Sequence, residues 1–135
     1  EIAAVRATPL DFTEPKVIGK EIDAQEEQLL LVKGYDHNWV VDQWNEEMKL
    51  VATLQDFKSG ITMETYSDLP GIQFYAGNCI TPVTGKQGVN YVPRNGLCLE
   101  TQYYPNSANQ EGFPRPFFGP DKPYDTTTIY KFIVK

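Results

Sequence analysis

The sequence is short of histidine, cysteine and basic charge, and each shortage excludes something. One histidine, His37, and two cysteines, Cys79 and Cys98, sit at no ligand spacing, so neither a zinc site nor any other metal site is expected. Two cysteines are also too few for the disulfide framework of a small secreted domain; they read as reduced core thiols of a cytosolic protein. Twelve basic against 18 acidic residues give a net charge of −6 with no basic stripe, which argues against nucleic acid and anionic membranes as partners. Long apolar runs are missing too. The longest aliphatic stretch, Leu29 to Val32, is far below the ~20 residues of a membrane span. There is no initiator methionine and no signal pattern; Glu1 opens into the strand-like EIAAVRATPLDF, as though in mid-fold, which suggests a fragment. With no repeat, no low-complexity linker and no shift in composition, residues 1–135 read as a single domain.

What is present is strand material. Ten glycines and ten prolines cut the chain into short segments rich in Val, Ile, Thr, Tyr and Phe. These are VKGYDHNWVVDQW, MKLVATLQDF, ITMETYSDL, IQFYAGNCI, GLCLETQYY and TTIYKFIVK, and together they predict an all-β chain. MKLVATLQDFKSGITMETYS predicts a hairpin, with Leu50, Ala52 and Leu54 on one face and Lys58-Ser59-Gly60 turning the chain back. Leu69-Pro70-Gly71 predicts the next turn, and IGKEIDAQEEQ has the only helix-like composition, enough for one or two turns. Residues 81–95 and 105–123 read as long loops of the kind that cover or carry sites.

GLCLETQYY is the central stretch. As a strand it puts Leu97, Leu99, Thr101 and Tyr103 on one face and Cys98, Glu100, Gln102 and Tyr104 on the other. A mid-strand carboxylate among leucine, cysteine and aromatics either lies at a mouth, serves chemistry, or is an ordinary exposed edge-strand glutamate. Two further polar groups interrupt apolar strands: Asp36-His37-Asn38 in GYDHNWV, and Gln73 with Asn78 in GIQFYAGN. Carboxylates and amides interleaved with aromatic rings suit a sugar, whose hydroxyls need acceptors and donors while the ring's apolar face packs on Tyr, Trp or Phe. Each group also has a plain structural reading, and Trp39 and Trp44 could be core.

TPLDF, IG, YDHNWV, the SG turn before MET-Y, PGIQFYAGN, GLCLETQ, the PN-A-N-FP loop and the final Y-TTIYKF occur in an order and approximate spacing that resembles the galactose mutarotase (aldose 1-epimerase) family, from Thr8 to Phe132. The resemblance implies a large antiparallel β-sandwich, the supersandwich, and interconversion of the α and β anomers of aldohexoses such as galactose and glucose, with no cofactor. By similarity Glu100 is the catalytic base, while Asp36 and Gln73 contact substrate. Family members are more than twice this length, and their acid histidine, a second active-site histidine and a substrate-binding arginine lie in an N-terminal half with no counterpart here. His37 matches the histidine beside the family's aspartate and should point away from Asp36, which favours a structural role.

The resemblance therefore implies the C-terminal half of a bacterial-type aldose 1-epimerase, in the cytoplasm, partnered by its N-terminal half or by a second copy of itself. As an isolated chain it should show little or no activity. The alternative is a carbohydrate-binding or interaction module without turnover. A hexose-6-phosphate epimerase would need an arginine cluster, and Arg6, Arg94 and Arg115 are scattered along the chain.

Overall fold

A computed structural model describes residues 1–134. One short helix, α1 (Glu27–Val32), precedes eight strands: β1 (Asp36–Val40), β2 (Lys49–Gln55), β3 (Ile61–Ser67), β4 (Gly71–Tyr75), β5 (Val83–Thr84), β6 (Asn90–Tyr91), β7 (Cys98–Gln102) and β8 (Thr128–Val134). The sheets have the orders β1-β4-β7, β2-β3-β8 and β5-β6. This is the expected antiparallel all-β architecture with little helix. The chain forms two compact units, residues 1–37 with 74–98 and residues 38–73 with 99–135.

In the first unit the core is aromatic. Tyr35 is fully buried, stacks on Phe74 at 5.4 Å, and meets the edge of Phe12 at 5.1 Å. Such ring pairs add about 0.5–1.5 kcal/mol each beyond area burial. The helix lies later than composition predicts, at residues 27–32 and not within IGKEIDAQEEQ, where Ile18–Lys20 makes only a 3-10 turn. The cause is in its ends. The Glu26 carboxylate accepts the N–H groups of Gln28 and Leu29, and Lys33 closes the helix in a left-handed conformation. Only Leu29 is buried, while Leu30 and Leu31 face solvent.

The second unit is built on the predicted hairpin. Asp56 accepts the N–H groups of Lys58 and Ser59 at 3.1 Å, and Gly60 takes the left-handed φ of 75° that returns the chain into β3. Between Leu50 and Ala52 the β2/β3 register shifts, so the expected common face of Leu50, Ala52 and Leu54 is broken by a bulge. β8 then pairs with β3 from Ile61↔Val134 to Ser67↔Thr128. Pairing puts Ile61, Met63, Thr65 and Ser67 on one face with Val134, Phe132, Tyr130 and Thr128. Half of that face is closed: Thr65 and Ser67 are buried, Thr128 Oγ1 shares a hydrogen bond with Thr101 Oγ1 of β7, and Tyr130 O–H donates to Leu99 O. The other half is open, with Ile61, Phe132 and Val134 exposed.

Candidate functional site

Glu100 lies at the centre of β7. Thr101 points toward β8, as its bond to Thr128 shows, so the alternation of the strand turns Glu100 the other way, and its side chain is exposed. Cys98 shares that outward face. It is exposed, as is Cys79 in the turn after β4, whose N–H is held by Tyr75 Oη at 2.9 Å; both thiols are free, but neither is a core residue as expected.

Gln73 is the middle residue of β4, the strand next to β7, and is half-buried. Two bonds fix how β4 meets β1. Val41 N–H donates to Pro70 O and Ala76 N–H donates to Tyr35 O, both at 2.9 Å, in opposite senses along the two strands. The pairing is therefore antiparallel, and it sets Asn38 directly across from Gln73 at a non-hydrogen-bonded position, where side chains approach most closely. Glycine at 71 permits this arrangement. A Cβ there would lie 2.6 Å from Asn38 Oδ1 and 3.0 Å from Tyr104 Cδ1, so the Asn38 carboxamide and the Tyr104 ring pack directly on the bare α-carbon. Asn38 Nδ2 donates weakly to Trp39 O at 3.4 Å, whereas its Oδ1 is buried with no hydrogen-bond partner. An unfilled buried acceptor costs about 1–3 kcal/mol, so its retention calls for an explanation.

The second unit thus carries Asn38, Gln73, Glu100 and Tyr104. Asp36 opens β1 and belongs, half-buried, to the first unit. Its N–H donates to His37 Nδ1 at 3.1 Å. Burial pushes the His37 pKa down, opposed by its hydrogen bond with the Gln28 backbone and by the charges of Asp36 and Glu26. A neutral ring held between two backbone groups is a structural histidine. Asn78, grouped with Gln73 from sequence, is likewise structural: it is buried, and its Nδ2 donates to Tyr35 O at 2.8 Å.

Sequence reading missed Asn38 and Tyr104 as close neighbours of Gly71. The period of two places Asn38 on the face of Asp36, but which β4 residue it meets depends on register, which no local pattern shows. Arg94 makes a two-pronged pair with Asp23, at 2.6 and 3.0 Å, beside an open groove lined by Ile22, Leu29, Leu30 and Lys33. That ion pair lowers the Asp23 pKa and occupies the arginine. Among the described residues no group of three His, Cys, Asp or Glu side chains is placed to hold a metal, and no helix is long and apolar enough to cross a membrane.

Comparison with known proteins adds a second line of evidence. The family model described as Aldose 1-epimerase matches residues 1–131. Galactose mutarotase of Bos taurus is 38% identical over 135 residues, which cover 99% of this chain and 38% of that protein. Galactose mutarotase of Homo sapiens is 36% identical over the same length, with 99% and 38% covered. Aldose 1-epimerase of Escherichia coli (strain K12) is 30% identical over 136 residues, covering 99% of this chain and 39% of that protein. The crystal structure of a GalM/aldose epimerase homologue from C. elegans superposes with a TM-score of 0.71 at 25% identity, covering 98% of this chain and 39% of that one. The chain spans about two fifths of the length of the relatives it matches.

Proposed function

Because the chain belongs to the aldose 1-epimerase family, we propose that it supplies the base and part of the sugar pocket of a mutarotase acting on aldohexoses such as galactose and glucose. Glu100 is the base. It takes the proton of the C1 hydroxyl while an acid protonates the ring oxygen; the bond from C1 to the ring oxygen breaks and C1 becomes a carbonyl. Rotation about C1–C2 presents the other face of that carbonyl, and the reverse steps close the ring as the opposite anomer. Gln73 and Asp36 bind sugar hydroxyls, Gln73 from the strand beside the base. The observation that carries this reading is the outward, exposed carboxylate at the centre of β7, neighbouring β4 with its half-buried Gln73.

His37 is poorly suited to be the acid: its Nδ1 accepts the Asp36 N–H, its ring is also hydrogen-bonded with the Gln28 backbone, and burial lowers its pKa. The acid comes from a further segment of the fold, either the remainder of a longer chain or an associated one, and that partner also covers the open apolar half of the β3/β8 face. The test is polarimetry on freshly dissolved α-galactose. The chain alone should leave the rate near the uncatalysed value, because general acid catalysis is worth ~10²–10⁴-fold. In a protein that joins this chain to a segment supplying the acid, Glu100→Gln should slow mutarotation by a similar factor. Fast, Glu100-dependent mutarotation by the chain alone would overturn the division of acid and base. Binding of galactose with no Glu100-dependent turnover in either form would favour a non-catalytic sugar-binding module.

A further inference from the structure

Tyr104 stands beside the proposed sugar pocket and has no part in the acid/base steps. The alternation of β7, carried two residues past its end, sets Tyr104 on the outward face with Glu100, whereas the ring of Tyr103 meets Trp44 and Phe118. The Tyr104 ring lies on the bare α-carbon of Gly71, on the side of β4 that also carries the Gln73 side chain two residues, or about 7 Å, further along. All of these residues belong to the second unit.

The residue is held from three directions. Its carbonyl accepts both the N–H of the buried Ser107, at 3.1 Å, and the Ser107 hydroxyl, at 2.6 Å. Phe113 meets the ring edge-on at 5.3 Å, and Gly71 lets the ring close on the backbone of β4. Among the described residues nothing pairs with the Tyr104 hydroxyl. Burial raises its pKa, so at neutral pH the group stays protonated and can donate as well as accept.

We propose that Tyr104 is a specificity-determining residue of the sugar site: its hydroxyl hydrogen-bonds a sugar hydroxyl remote from C1. Glu100 works on C1, so that end of the sugar lies at the middle of β7, and a hexose reaching from there toward Gly71 brings its C3–C4 edge to Tyr104. A ring already fixed by Gly71, Phe113 and Ser107 loses little freedom when it binds, which is how a preformed pocket gains affinity. The inference rests on the mutarotase reading and deepens it by assigning a contact to the end of the sugar away from the chemistry.

The test is NMR titration of the 15N-labelled chain with galactose. Tyr104→Phe keeps the ring on Gly71 and against Phe113 and removes only the hydroxyl, so its amide spectrum should show the parent fold. Its Kd should rise roughly two- to tenfold, the change that one net hydrogen bond makes. The same rise should appear with the anhydro-alditol of galactose, which lacks only the C1 hydroxyl. In a protein that joins this chain to a segment supplying the acid, Tyr104→Phe should raise KM by that factor and leave kcat near the parent value. Unchanged galactose affinity in Tyr104→Phe, a loss that disappears with the anhydro-alditol, or a fall in kcat at constant KM would overturn the inference and leave the sugar reading standing. No galactose binding by the unsubstituted chain would overturn the sugar reading, and this inference with it.

Discussion

Gly71→Ala should destabilise the second unit, although the same exchange on an open strand would do the reverse. Glycine to alanine at a compatible backbone position stabilises by about 0.4–1 kcal/mol, because the unfolded chain loses freedom. Here the new methyl would sit 2.6 Å from Asn38 Oδ1, 2.9 Å from its Nδ2 and 3.0 Å from Tyr104 Cδ1. Carbon–oxygen contacts settle near 3.3–3.6 Å and carbon–carbon contacts near 3.5–4.0 Å, so both neighbours must retreat by about half an ångström or more. Overpacking on that scale costs ~1–3 kcal/mol, which outweighs the unfolded-state gain and leaves a net loss of about 1 kcal/mol. For a chain of this length the loss corresponds to roughly 3–4 °C in Tm, and in urea to a lower midpoint with an unchanged slope. Adding Asn38→Ala to Gly71→Ala removes the two shortest contacts together with the unfilled acceptor, so part of the loss should return. A Gly71→Ala chain as stable as its parent would refute the packing argument.

Gly77→Ala should cost more than Gly71→Ala, because the residue has φ +70° and its Cβ would lie 2.4 Å from the backbone oxygen of Gly96, which cannot rotate away; equal thermal midpoints for the two variants would count against this ranking. His37 has a pKa held below its ordinary 6.5, chiefly by burial. The unfolded chain therefore binds the proton first, and this contribution to stability is complete above about pH 6.5 and lost as pH falls through the lower folded value. Urea titrations from pH 7.5 to 5 should show that decline, and it should flatten in His37→Gln if His37 is its source. Phe132 and Val134 are 67% and 77% exposed on the edge strand β8. The isolated chain should self-associate in light scattering, and Phe132→Lys with Val134→Lys should return it to a monomer, because a charged edge resists further pairing.

What could be read from sequence, and what could not, follows from the range of the interaction that decides each feature. The β2/β3 hairpin was legible because its turn chemistry is local: Asp56 caps the N–H groups two and three residues on, and Gly60 supplies the left-handed residue. The bulge beyond Leu50 was not, since alternation reads straight through a residue that the partner strand skips. The helix was misplaced for a related reason. Residues 18–28 have the composition, but the stop at Lys33 and the burial of Leu29 choose residues 27–32. Cysteine type suggested burial, yet the period of two places Cys98 on the outward face with Glu100.

The candidate site divides along the same line. A carboxylate at position 100 and an amide at position 73 are conspicuous in apolar strands whatever those strands pair with, so both stood out from sequence. The position of Asn38 across from Gln73 depends on antiparallel pairing between segments more than thirty residues apart, anchored by Val41 with Pro70 and by Ala76 with Tyr35. Slipping that register by one residue would turn Asn38 to the other face of the sheet and leave its composition unchanged. Asn78 shows the converse. It stands five residues from Gln73 in the chain, and its amide is spent on the Tyr35 carbonyl in the first unit. Proximity in sequence thus overstated Asn78 and understated Asn38, because in a sheet the neighbours that matter to a site lie across strands and not along them.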